Sequence, residues 1–342
     1  MPNFPFEMGP IRPVDEADSL LIRTTRGCPW NRCEFCTLFK QMKFSMRSVE
    51  EIKADILAAK AYYGGHPFET CFLQDGDSFV MKTQDLIEVL TCLTQAFPSL
   101  KQISSYGRAR TMARKSPQAM ADIRGAGLNK LYCGMESGSD AVLKQMKKGI
   151  TSDMIIQAGT LAREAGMETT EFIILGLGGT ALSDTHALET ARVLNAVNPD
   201  QIRVLTIGVK PGTGLFDQMA DGDFTLPSEA AIIKEQRLMV EHLEGITSHY
   251  ANHHSVDLLL EIRGQLPQDK ARILGVLDRF LALSHTQQTH FVLGRRLGYY
   301  HRLDDMENPQ RRAMVDSQME KLTTESPEDI ESLFHRIRSQ MI

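Results

Sequence analysis

The sequence predicts an α/β protein, a partial (β/α)6 barrel with a C-terminal helical region, and three observations carry that prediction. Short β-branched runs alternate with amphipathic helical runs from residue 19 to about 207, the pattern that yields parallel strands with covering helices. The strand candidates are continuously apolar, as strands buried on both faces are. After Pro211-Gly212-Thr213-Gly214 the strand signal stops, and from about Pro227 the chain reads as helix. The expected division is therefore a barrel over residues 17–225 and a helical region over 226–342 packed on it.

The strands predicted in order are Ser19 to Thr24, Thr70 to Gln74, Gln102 to Tyr106, Lys130 to Gly134, Glu168 to Leu175 and Gln201 to Ile207. The helices between them carry start signals: Ser48-Val49-Glu50-Glu51 has capping-box spacing, and Ser116-Pro117 sets a capping hydroxyl before a proline at the first helical position. Gly64-Gly65, Gly125, Gly127 and Gly166 are placed to close helices before the next strand. In the tail, helices are predicted over Ser228 to Glu244, Ser255 to Arg263, Gln268 to Leu283 and Ser326 to Ile342, the last opening on Ser326-Pro327-Glu328. Ligands in such sheets bind beyond the carboxyl ends of the strands, so the loops after each strand hold the candidate residues.

Composition narrows the function classes. Of 342 residues, 42% are hydrophobic and 24% charged, enough for a sizeable core. The formal net charge of −5 gives no general pull toward nucleic acid or anionic lipid, so neither is expected as a partner without a local basic patch. No run approaches the roughly 18 apolar residues of a membrane span, and the first residues lack the pattern of a signal peptide. A cytoplasmic location is expected. The six cysteines, half of them in one short loop, do not resemble a secreted disulfide framework. Cys71, Cys92 and Cys133 read as small hydrophobes in strand-like or helical runs.

The other three, Cys28, Cys33 and Cys36, follow the first strand directly in Arg26-Gly27-Cys28-Pro29-Trp30-Asn31-Arg32-Cys33-Glu34-Phe35-Cys36. Three thiolates make a metal site with an open position. A structural zinc wants four nitrogen or sulfur ligands, and no second pair or nearby histidine supplies the fourth. A Cys33-Glu34-Phe35-Cys36 redox pair would leave Cys28 unexplained. Three cysteines on an iron–sulfur cluster leave one iron able to bind something other than protein.

Further candidates stand at the other strand ends. Gln74-Asp75-Gly76-Asp77 follows the second strand; Gly76 permits close backbone approach and Asp77 offers a charge-assisted acceptor, with a helix N-cap as the plainer reading. Tyr106-Gly107-Arg108-Ala109-Arg110 follows the third, where two arginines could anchor a carboxylate or phosphate or line a cofactor site. Gly134-Met135-Glu136-Ser137-Gly138-Ser139-Asp140 follows the fourth, with Lys148 twelve positions beyond Glu136. Ile174 and Gly176 lie where the fifth strand enters Gly176-Leu177-Gly178-Gly179-Thr180, a run without the lysine of a P-loop. In the tail, His249, His253 and His254 have spacings that would meet on one helical face, and Leu293 to Tyr300 carries two arginines that could serve an anion or helix packing.

Over residues 19–215 these motifs together resemble the radical S-adenosylmethionine (radical SAM) superfamily, in the branch of the oxygen-independent coproporphyrinogen oxidases and the Elp3, MiaB and NifB-like proteins. The resemblance implies a partial radical SAM barrel in which Cys28, Cys33 and Cys36 hold one [4Fe-4S] cluster and the fourth iron takes the amino and carboxylate groups of SAM. It implies reductive cleavage of SAM to a 5′-deoxyadenosyl radical that abstracts hydrogen from substrate, the cofactor supplying the hard chemistry. Carried over position by position, Asp75, Gly76 and Asp77 occupy the place of the segment that holds the SAM ammonium. Glu136 and the adjacent Ser137 occupy the ribose-contact segment, and Lys148 the clamp on the SAM carboxylate. Ile174 and Gly176 lie along the adenine, and Phe35 matches the position whose backbone meets the adenine amino group. A small-molecule substrate and a one-electron donor such as flavodoxin or ferredoxin are expected as partners. Two departures stand out: four residues, rather than three, separate Cys28 from Cys33, and Leu38 stands where coproporphyrinogen oxidases carry a fourth cysteine. The alternative expectation is a haem- or cofactor-delivery protein that keeps the same fold and cluster.

Overall fold

The computed structural model describes residues 4–325 and 329–341. In chain order its elements are β1 Leu20–Arg23, β2 Thr25–Arg26, β3 Ser45–Met46, α1 Val49–Tyr63, β4 Thr70–Gln74, α2 Thr83–Ala96, β5 Gln102–Gly107, α3 Ala109–Met112, α4 Pro117–Gly125, β6 Leu128–Glu136, α5 Asp140–Gln145 and α6 Ser152–Glu164. There follow β7 Glu168–Leu175, α7 Ser183–Val197, β8 Gln201–Thr206, α8 Gly214–Ala220, α9 Glu229–Glu241, β9 His249–Asn252, β10 Arg263–Gln265, α10 Lys270–Leu281, α11 His285–Arg296, α12 Pro309–Glu325 and α13 Ile330–Gln340. Two compact units result: Met1–Met135 with Ser152–Glu171, and Glu136–Thr151 with Phe172–Ile342.

In the first unit β1, β4, β5 and β6 pair in that order, all parallel, with Leu20 opposite Cys71, Cys71 opposite Ile103 and Ser105 opposite Leu131. The expected strand–helix alternation is thus present. Helix α1 begins at the predicted capping box, Ser48 Oγ accepting from the Glu51 amide at 3.2 Å and the Ser48 amide donating to Glu51 Oε2 at 2.8 Å. Ser116 caps α4 ahead of Pro117 as expected. Leu20, Ile22, Leu73, Ile103 and Leu131 from the strands pack in one apolar core with Ile52, Ile56, Leu86 and Leu90 from the helices. The amino ends of the strands close on Glu16, which is 1% exposed and accepts from Ser104 Oγ at 2.7 Å and Tyr132 OH at 2.8 Å. The antiparallel pair β2–β3, Thr25 opposite Met46, was not legible as strands because each has only two residues.

In the second unit α7, α9 and α10 pack as amphipathic helices, and β8 pairs in parallel with β9, which pairs antiparallel with β10. The tail is therefore not wholly helical. His249 lies in a strand, so the expected histidine face of a helix does not form, and residues 255–262 form turns rather than the predicted helix. The cause is local: buried Asp257 accepts from the His253 and His254 amides at 3.0 and 2.9 Å, folding the chain back after β9. The helices expected around 228–244 and 268–283 are present as α9 and α10. The start signal Ser326-Pro327-Glu328 lies outside the described residues, and α13 begins under an Asp329 cap. Among the described residues no helix is long and apolar enough to cross a membrane.

Candidate active site

In the first unit, the loop after β1 and the turn after β4 meet. A side chain at Gly76 would lie 3.2 Å from Cys28 Cβ and 3.3 Å from its Cα, so the absence of one lets the turn lie against the first cysteine. The Gly76 amide donates to Gly27 O at 3.4 Å. Asp75, fully buried, ties the same two segments: its Oδ2 accepts from the Gly27 amide at 2.7 Å and from Arg23 Nη2 and Nε at 2.6 and 3.1 Å. Burial pushes the Asp75 pKa up, outweighing the opposing pull of Arg23 and the Gly27 amide. Arg23 is shared with Glu7, its Nη1 donating to Oε1 at 2.7 Å. Arg23 was not singled out from sequence; a signal that could have found it is its place at the end of an apolar strand, since a buried arginine needs a partner.

Cys28, Cys33 and Cys36 are half-buried, and none of them is part of a disulfide. The segment between the first two is tethered: Asn31 adopts a left-handed backbone with φ of 46° and donates from Nδ2 to Phe39 O at 2.7 Å. Lys40 Nζ donates to Asn31 O and Cys33 O at 3.2 and 3.1 Å. Phe35 is half-buried within the turn that closes from the Cys36 amide to Cys33 O. Trp30 carries three guanidinium groups over its ring, those of Arg32, Arg108 and Arg110, with carbons 5.3, 5.6 and 5.6 Å from the centroid. Of this group only Arg108 and Arg110 were singled out from sequence.

Asp77 is fully buried and caps the turn at Ser78–Val80, Oδ1 accepting from the Phe79 amide at 3.1 Å. Its Oδ2 accepts from Thr111 Oγ1 at 2.7 Å. Burial pushes its pKa up to about 6, against the Thr111 bond and the nearby Arg108. The N-cap reading of this residue is the one its geometry displays.

In the second unit, Lys148 Nζ meets Glu136 Oε1 at 2.7 Å, the two side chains 11% and 13% exposed. Both are sequence-predicted residues, and the structure pairs them. Glu136 has a φ of 65°, a left-handed conformation that costs a residue with a Cβ about 1–2 kcal/mol. Ser137 is buried and its Oγ accepts from the Ser139 amide at 3.0 Å. Gly138 packs on α7, its amide donating to Thr190 Oγ1 at 2.9 Å. Ile174 is half-buried at the end of β7. Gly176, with φ of 78°, donates its amide to Glu235 Oε1 at 2.7 Å, and Ser183 Oγ donates to Oε2 at 2.6 Å. Buried Glu235, which sequence reasoning missed, thus fixes the glycine-rich run from α9. Buried His186 lies 3.3 Å from the same carboxylate, its pKa lowered by burial despite that charge.

The tail candidates are placed differently from their sequence reading. Arg295 and Arg296 are buried, donating to the carbonyls of Ser255, Asp257 and Val256 and, from Arg296, to Glu229 Oε1 at 2.7 Å. They hold the loop after β9, so of the two readings of Leu293 to Tyr300, packing is the one realised. Among the described residues no group of three or more His, Cys, Asp or Glu converges on a single metal ion. The sulfur donors that would hold an iron–sulfur cluster are the three cysteines carried by the loop after β1.

Parallel strands with covering helices, and three cysteines at the first strand end, define an α/β protein with a cysteine-rich candidate site. The Radical SAM superfamily model matches residues 22–192, and the chain belongs to the radical SAM superfamily. It is 26% identical over 201 residues to an uncharacterized methyltransferase of Pyrococcus horikoshii, covering 58% of this chain and 41% of that protein. It is 20% identical over 219 residues to the heme chaperone HemW of Bacillus subtilis, covering 64% of this chain and 57% of that one. The chain thus spans between two fifths and three fifths of the length of these curated relatives. Among solved structures, the radical SAM methyltransferase TsrM of Kitasatospora setae, bound to cobalamin and a [4Fe-4S] cluster, shares the fold with a TM-score of 0.50 and 15% identity. That match covers 88% of this chain and 61% of that one. Membership in the superfamily implies a [4Fe-4S] cluster and SAM.

Proposed function

We propose that this chain is a radical SAM enzyme that binds one [4Fe-4S] cluster through Cys28, Cys33 and Cys36 and acts on a small-molecule substrate. The observation that carries the reading is the meeting of Gly76 with Cys28, which joins the cysteine loop to the strand-end turn expected to hold SAM. When bound, cluster and SAM supply reductive cleavage of SAM and hydrogen abstraction from substrate. The chain's own residues supply position. Asp75 fixes the Gly27 amide next to the first ligand, Asp77 shapes the following turn, and Gly76 keeps its backbone within reach of a ligand. Lys148 offers its ammonium to a carboxylate while Glu136, held by that same lysine, offers acceptors to a ribose. Ser137 shapes the turn after Glu136. Ile174 would offer an apolar side chain to a flat ring and the Phe35 backbone a polar edge, while Gly176, its amide held by Glu235, lets the chain turn tightly after Ile174. The one-electron donor assigned to this reading is a flavodoxin or ferredoxin.

Anaerobic reconstitution tests it: iron and sulfide are quantified, and reduced protein is incubated with SAM and assayed for 5′-deoxyadenosine. Near four irons per chain and nucleoside formation are expected, with Cys33→Ala losing most of both. Fully loaded protein that forms no 5′-deoxyadenosine, or Cys33→Ala with a normal cluster, refutes the proposal. A second reading, delivery of haem, is favoured by the likeness to HemW. Under it, purified protein gives a saturable Soret shift on titration with haem, and no shift counts against it.

A further inference from the structure

We propose that Trp30, Arg32, Arg108 and Arg110 form a subsite for an anionic group, a carboxylate or a phosphate, of the molecule that reacts in this enzyme. The word substrate here rests on the radical SAM reading; the anion site itself does not. All four residues lie in the first unit. Trp30 and Arg32 belong to the four-residue spacer between Cys28 and Cys33, and Arg108 and Arg110 follow the carboxyl end of β5. Each guanidinium carbon lies within 5.6 Å of the indole centroid, so no two are farther apart than about 11 Å. Each distance to the indole centroid is shorter than the screening length of about 8 Å at physiological salt, so the three positive charges act on a common volume around the ring. The chain as a whole carries a net charge of −5, so this concentration of positive charge is local.

The parts are built to hold still. The Arg108 carbonyl accepts from the Thr111 and Met112 amides, both at 3.0 Å, and from Thr111 Oγ1 at 2.9 Å. Thr111 Oγ1 in turn lies 2.7 Å from buried Asp77, so the arginines ride on a pinned helical turn. On the other side, Asn31 and Lys40 tether the spacer that carries Trp30. Planar guanidinium forks match carboxylate and phosphate oxygens two at a time, and the indole face supports the flat forks by cation–π contact. Flanked by the first two cysteine ligands, such a subsite holds a substrate's charged end beside the cluster loop. A neutral or cationic substrate has no use for it.

Trp30 is the one tryptophan in the sequence, so its emission reports on this place alone. Reconstituted protein is titrated with inorganic phosphate and with succinate, against sodium chloride at matched ionic strength, with and without saturating SAM. A saturable emission change with half-saturation at about millimolar or below is expected, unaffected by SAM. Arg110→Gln and Arg108→Gln are expected to weaken it about tenfold or more at undiminished iron content, the loss of charge-assisted bonds. Arg32→Gln, on an exposed side chain, tests the same point without threat to folding and is expected to weaken binding several-fold. The phosphate and succinate arms separate the two anion classes. An equal response to chloride means an adventitious ion only and overturns the proposal, as do wild-type affinities in the arginine variants. Full displacement by SAM also overturns it, by assigning the guanidiniums to the cofactor carboxylate. Arginine-dependent binding in protein that loads no cluster would uphold the subsite while the radical SAM reading fails.

Discussion

Replacing Asp75 separates a structural anchor from a ligand contact. In Asp75→Ala the Arg23 guanidinium loses two bonds, at 2.6 and 3.1 Å, and the Gly27 amide loses its acceptor at 2.7 Å. Arg23 is 7% exposed, so water does not replace what is lost. Removing one member of a buried ion pair costs about 3–5 kcal/mol. Glu7 remains on Nη1 at 2.7 Å, which places this case near the lower end. The orphaned Gly27 amide adds about 1 kcal/mol or more. A loss of about 4 kcal/mol is large against a typical total of 5–15 kcal/mol. Urea unfolding at neutral pH should show it as a lower midpoint with little change in slope, alongside reduced iron after reconstitution because the loop before Cys28 is released. Asp75→Asn, which keeps an oxygen for the Gly27 amide, should lose less of both. The double replacement Arg23→Met with Asp75→Leu should recover part of the lost stability while iron stays low, because the buried charge is relieved but the Gly27 amide stays without its acceptor. Asp75→Ala within about 1 kcal/mol of the parent, with full iron, would refute the anchor role.

Two further predictions concern the second unit. Burial holds the Asp257 carboxyl up to about 7, against its bonds from His254, Thr206 and His253 and the nearby Arg296. The unfolded chain releases that proton near pH 4, so the folded state's preference for the protonated form stabilises below about pH 4. That contribution is lost as pH rises to about 7, by roughly 4 kcal/mol. Asp257→Asn should flatten the stability profile between those limits and be at least as stable as the parent at pH 8; an unchanged slope by denaturation at several pH values would contradict this. Gly138→Ala would put a Cβ against Glu189 O and 2.7 Å from the Thr190 Cα, backbone atoms that cannot swing away. A loss of about 2–3 kcal/mol is expected, and a melting temperature within a degree of the parent would show that the loop before α5 yields freely.

Much of the architecture was legible because parallel strands and capped helices write strong local signals. Ser48 with Glu51 and Ser116 with Pro117 named their helices in advance, and the apolar runs named their strands. Reading failed where a particular partner, near or far, rather than a periodic pattern decides the outcome. His249 to Asn252 becomes a strand because β8 offers it a free edge, and the segment after it turns because Asp257 gathers two backbone amides. No local periodicity encodes either fact. At the candidate site, the residue types and their strand-end positions were readable. Their partners were not: the Arg23–Asp75 and Glu136–Lys148 pairs are made by residues 52 and 12 positions apart.

The four-residue spacing of Cys28 and Cys33 first reads as a defect in a motif. In the folded chain it is an organised turn. Asn31 takes the left-handed conformation that its side chain tolerates better than most, and its amide closes on Phe39 O. Lys40 then bonds the carbonyls on both sides of Arg32, so the spacer is held at its far end as well. What projects from this turn is an indole beneath three guanidiniums. A ligand loop need only deliver its thiols, and any conformation that does so leaves the remaining spacer residues available for another task. Here the spacer carries an aromatic platform to the arginines after β5, so under the proposed anion subsite its length would serve recognition beside the cysteines.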